Sequence, residues 1–121
     1  MDEQARAATG VLAGGRLLIG ASFCLAPSLA ARWVGDAAQA PGARMVIRAL
    51  GARDAALGLG TLASLHQPVQ LRRWLILSSA CDATDFVATL AGPAAPARSA
   101  VAAMAAGAAV AGVGLAAAAS R

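Results

Sequence analysis

Arg53-Asp54, and the pair Asp82 and Asp85, are ionisable residues set inside apolar runs, Met45 to Leu65 and Leu75 to Leu90. Arg16 and Arg48 lie in similar surroundings. An ionised side chain near the centre of a bilayer costs about 3 kcal/mol on insertion scales. Such groups therefore face a protein interior and take a partner of opposite charge. Three kinds of chemistry are open to this set. Guanidinium and carboxylate can neutralise each other and fix the register of helices. Two carboxylates one helical turn apart can relay a proton. An Arg and Asp set can also act as acid, base or anion clamp on a lipid or isoprenoid. Three acids (Asp54, Asp82, Asp85) meet two or three arginines (Arg16, Arg53 and Arg48). That near balance favours structural ion pairing over a site for a substrate.

Other chemistries lack the residues they require. A glycosidase-like carboxylate pair needs an open aqueous cleft and sugar-stacking aromatics, and aromatics are only 3% of this chain. His66 is the sole histidine, stands beside Pro68 at a segment end, and has no second ligand at useful spacing. It reads as a surface residue, and no metal site is expected. Ser22, Ser28, Ser64, Ser78 and Ser79 have no histidine base in helical context. No Gly-rich loop follows a strand, so the glycines imply no nucleotide cofactor. No catalytic or cofactor-binding residues are expected. Cys24 and Cys81 have no CxxC neighbour and read as small buried hydrophobes. The arginines are dispersed without interleaved aromatics, so the net charge of +4 does not indicate nucleic acid.

The elements that must position the charges are long and apolar. Hydrophobic residues make up 59% of the 121 positions and charged ones 13%, against about 25% charged in soluble domains. All ten cations are Arg, and Lys, Asn and Tyr are absent, a composition typical of a GC-rich bacterial genome. Turn chemistry at Pro27, Gly35-Asp36, Pro41-Gly42, Pro68, Gly92-Pro93 and Pro96 divides the chain into four segments, about 8–33, 43–65, 69–91 and 97–119. Each suffices to cross a bilayer, which takes about 20 residues as a helix. The fourth has no polar face between Arg98 and Ser120, and a helix apolar all round is a membrane span or the core of a much larger protein. The expected fold is all-α: a single integral membrane four-helix up-down bundle over residues 1–121. Asp2-Glu3 and Arg16 match a secretory signal poorly, so the first segment is expected to stay in the mature protein.

In an antiparallel bundle, Arg53, Asp54 and Asp82 lie about 18–20 Å from the loop at Pro68, at 1.5 Å per residue. One polar stripe, Ser78, Asp82, Asp85 and Thr89, runs along the third segment. Arg16 is expected to reach toward Asp82, and Arg48 toward Asp85. The expected polar cluster is therefore Arg16, Arg48, Arg53, Asp54, Ser78, Asp82 and Asp85. Small residues are expected to let helices close at Gly10, Gly14 and Gly15, at Gly51 and Gly58, and along Gly107, Ala111 and Gly114. Trp33 and Trp74 fit interfacial anchor positions. The arginines near segment ends favour cytoplasmic termini by a small excess: Arg6, Arg72, Arg73 and Arg121, against Arg32, Arg44, Arg98 and Arg48 at the edge.

The motifs together resemble a family of small, uncharacterised four-helix integral membrane proteins common in actinobacteria. The resemblance rests on Gly15-Arg16-Leu17-Leu18-Ile19-Gly20 through Pro27, on Gly51-Ala52-Arg53-Asp54, and on Asp82 with Asp85. It spans roughly residues 10 to 90; the fourth segment matches only in composition. It implies the fold and leaves the activity open. The functional expectation is a non-enzymatic subunit or assembly partner in a bacterial inner membrane. It would work in the lipid bilayer as a homo-oligomer or within a larger complex. The alternatives are a proton-coupled carrier titrating Asp82 or Asp85 in a homo-oligomer, and a small membrane enzyme acting on a lipid or isoprenoid.

Overall fold

The computed structural model describes residues 1–92 and 98–119, without the side chains of Trp33 and Val34. The breaker Pro93, Pro96, the start expected at Ala97, the Trp33 anchor and Arg121 fall outside what is described. Every described element is helical: α1 (Glu3–Leu25), the short α2 (Ala31–Val34), α3 (Pro41–Ala63), α4 (Pro68–Ala91) and α5 (Arg98–Ala119).

Local sequence explains the boundaries. The helix α1 begins five residues before the expected Ala8, because the Asp2 carboxylate accepts a hydrogen bond from the Ala5 N–H at 2.7 Å. It ends at Leu25 rather than running to Trp33. Pro27 has no N–H to continue the helix and instead opens a 3-10 turn, Pro27–Ala30, that leads into α2. Gly35 then turns the chain with φ of 77°, a left-handed value that a residue with a Cβ adopts only under strain. The expected loop is partly a second 3-10 turn, Asp36–Gln39. Both α3 and α4 start with proline in the first turn, where the missing N–H has no helical partner to lose.

The helices pack as two pairs. Along most of their length α1 lies on α3, and α4 lies on α5, whereas contact between the pairs is sparse. Among the described residues, no Cα of α1 comes within 8 Å of a Cα of α4. Besides a contact of α2 with α5, the pairs meet through an apolar cluster at one end of the molecule. There Met1 and Leu65 pack against Leu71, Leu75, Ala116 and Ala119, which brings the start of the chain beside the end of α5. The face of Gly60 lies against the Trp74 ring at the same end.

Glycine sets the closeness of each pair, though not always at the expected positions. A Cβ on Gly51 would stand 2.6 Å from the Gly20 carbonyl oxygen, and one on Gly58 would stand 2.6 Å from that of Ala13. The α1–α3 approach therefore uses Gly20, Gly51 and Gly58. The expected thinning at Gly14 and Gly15 is not used, since nothing lies within 4 Å of a Cβ there. On α5 the packed glycine is Gly112, against Ser79, while Gly107 and Gly114 face open space. The buried residues Ala102, Ala105, Ala116 and Ala119 mark the inner face of α5, which is offset from the expected stripe.

The interior mixes alanines and the aliphatic Ile47, Leu57, Leu71 and Leu75 with small polar groups, and the exterior carries many large aliphatic side chains. Thr9, Thr61, Ser64, Ser78, Ser79 and Asp82 are buried. Val11, Leu18, Leu25, Met45, Val69, Val87, Val110 and Val113 are exposed. Three helices, α1, α4 and α5, are long and apolar enough to cross a membrane. The equally long α3 is not among them, because it carries Arg44, Arg48, Arg53 and Asp54.

Candidate functional site

The charged residues occupy the gap that the backbones leave between the two pairs. From α1, Arg16 reaches across to Asp82 of α4, and its Nη2 donates to Asp82 Oδ1. This is the most enclosed pair, with side chains 17% and 8% exposed. A guanidinium can do this where a shorter side chain cannot, since its length spans helices whose backbones stay apart. The expected partnership of Arg16 with Asp82 is the one observed.

Arg53 forms the second junction. Its Nη1 donates to Asp85 Oδ1 at 3.1 Å and its Nη2 to Asp85 Oδ2 at 2.6 Å, a two-pronged grip on a carboxylate of α4. The other edge of the same guanidinium holds its neighbour Asp54, with Nε and Nη2 donating to Oδ1 at 3.3 and 3.1 Å. Bidentate pairing of this kind matches the planar fork of arginine and is stronger than a single neutral hydrogen bond. Exposure rises through this junction: Asp54 is 23%, Arg53 29% and Asp85 36% exposed at the side chain.

The stripe on α4 follows the same gradient. Ser78 and Asp82 are buried, while Asp85 and Thr89 are partly open. The Thr89 hydroxyl donates to the Asp85 carbonyl oxygen at 2.6 Å, so it serves its own helix. Arg48 departs from expectation. Its side chain is exposed and makes no ion pair among the described residues, and Asp85 is held by Arg53 instead. Its carbonyl accepts from the Cys24 thiol at 3.5 Å. Arg48 thus lies outside the cluster, leaving Arg16, Arg53, Asp54, Ser78, Asp82 and Asp85.

Two guanidinium groups facing three carboxylates leave the Arg53 junction one negative charge in excess if all groups are ionised. Asp85 is the most accessible acid of the junction. The arrangement can clamp two helical pairs together. His66 is exposed, as expected, whereas both cysteines are free and only half-buried rather than fully interior. Among the described residues, no group of three His, Cys, Asp or Glu side chains is gathered to hold a metal ion. Sequence reasoning overlooked Gly20, Gly60 and Gly112 as contact points. A glycine opposite a bulky or backbone neighbour leaves no signature until the neighbour is known.

No family model, curated protein or solved structure matches this chain.

Proposed function

We propose that this chain is an integral membrane protein of the actinobacterial family it resembles, an up-and-down four-helix bundle in the bacterial inner membrane with cytoplasmic termini. It serves as a non-enzymatic subunit or assembly partner. The observation that carries this reading is that the acids of the span are held by arginines from other positions in the bundle. Arg16 holds Asp82, and Arg53 holds Asp54 and Asp85. Charges committed to one another join helices; they are not poised for a substrate. Large aliphatic side chains on the outside suit lipid as the solvent, since water would penalise that exterior. The outward glycines Gly107 and Gly114 give α5 a smooth face on which another helix can lie.

One observation favours a second reading, a proton-coupled carrier acting as a homo-oligomer: the accessible Asp85 in a junction with excess negative charge. Purified chain in vesicles loaded with a pH-sensitive dye separates the two. A structural subunit passes protons no faster than empty vesicles. Substrate-driven proton flux that Asp85→Asn abolishes would establish the carrier and reject the subunit.

A further inference from the structure

The molecule carries a second concentration of charge, far from the Arg53 junction. At the end where the helical pairs meet, an open surface cleft of about 470 Å³ lies between the start of α4 and the end of α5. Pro68, Val69, Arg72, Arg73 and Ala119 line it. A smaller cavity of about 50 Å³ adjoins it, sharing Pro68 and Ala119, and adds Arg6 and His66. Among the described residues, every ionisable side chain lining the two is basic. The acids nearest in sequence, Asp2 and Glu3, line neither, and Asp2 is engaged in capping α1.

We propose that this basic cleft binds the phosphate headgroup of an anionic lipid. The inference rests on the membrane reading above, which puts the end of the bundle at headgroup depth. Trp74 follows directly after the arginine pair, packed against Gly60, and tryptophan is enriched at that depth. Arg72 and Arg73 are exposed and supply donors for phosphate oxygens. Pro68, Val69 and Ala119 supply an apolar wall for the glycerol and upper acyl chain. Basic pockets between membrane helices hold anionic headgroups in this manner. A phosphate oxyanion is the ligand chemistry, and the apolar wall selects the lipid over the free ion.

The test is native mass spectrometry of the full chain, released from micelles containing equal amounts of phosphatidylglycerol and phosphatidylcholine. The wild type is expected to retain phosphatidylglycerol about 30-fold over phosphatidylcholine, from roughly fivefold per arginine. Arg72→Gln with Arg73→Gln should lose the preference, the Lys-Lys counterpart should keep most of it, and Arg44→Gln at the opposite end should leave it unchanged. Circular dichroism of each variant confirms that the helices are intact. Equal retention of the two lipids by the wild type would overturn the site. So would persistence of the preference in the folded Gln-Gln variant. Excess inorganic phosphate should not displace the lipid; displacement would make this a site for the free anion and overturn the lipid assignment. A chain released from membranes by alkaline wash would sink the membrane reading and this site with it. A chain that resists the wash yet shows no lipid preference sinks the site alone.

Discussion

Arginine does two different jobs in this chain, and the difference lies in what each guanidinium touches. Arg16 spans a gap between helices to one buried acid, whereas Arg53 divides its two edges between acids on two helices. Removing one member of an enclosed pair leaves the other uncompensated, at a cost of about 3–5 kcal/mol. Asp82→Asn and Arg16→Gln are each expected to lose stability on that order in a detergent unfolding titration. The double variant should lose clearly less than the sum, because neither charge is then left alone. Additive losses would show that the two residues are not coupled. Arg53→Lys keeps the charge but not the fork, so it should also destabilise, since one ammonium cannot hold Asp54 and Asp85 together. Arg48→Gln, exposed and unpaired among the described residues, should stay within about 0.5 kcal/mol of the wild type.

Helix pairing depends on where the missing Cβ atoms are. Gly51→Ala would drive a methyl group to 2.6 Å from the Gly20 carbonyl oxygen and 2.9 Å from Phe23 Cβ, forcing α1 and α3 apart. A loss of about 1–3 kcal/mol is expected, the usual penalty for overfilling a packed contact. Gly114→Ala has open space and should stabilise the isolated chain by up to about 1 kcal/mol through helix propensity. The contrast between two identical substitutions is read from the same unfolding titration. Equal effects at Gly51 and Gly114 would contradict the observed packing faces. Should Gly114→Ala stabilise the isolated chain but weaken a native assembly, the outer face of α5 would be placed at a partner contact.

Across the whole molecule, two helical pairs meet firmly at one end and are bridged by charge farther along. Met1 and Ala119 share the apolar cluster at the joined end. The membrane reading therefore makes a topological prediction. In a background of Cys24→Ala and Cys81→Ala, single cysteines at Gln4 and Gln67 should react with an impermeant maleimide from one side of sealed vesicles. A cysteine at Gln39 should react from the other. All three positions are exposed, so a failure to label by this rule would reject the arrangement rather than report burial. Gln4 labelling from the cytoplasmic side would fix the orientation that the small arginine excess favours.

Hydropathy and breaker residues made the four long helices legible, because a backbone in an apolar run satisfies its hydrogen bonds within a helix and stops where proline removes a donor. Helical spacing placed Asp82 and Asp85 on one stripe, and the equal depth of Arg53 and Asp82 followed from counting residues. The choice of partner was not legible. Arg48 and Arg53 both lie within reach of Asp85 by counting, and rotation of α3 about its axis selects Arg53. The break after Leu25 was signalled by Pro27, yet α2 beyond it depended on how the chain turns at Gly35. The same limit applies to glycine, whose role on α1, α3 and α5 depends on the surface opposite. Periodicity describes one helix at a time, whereas contact belongs to two, and the rotation and spacing of a pair are set by the packing of all the side chains between them.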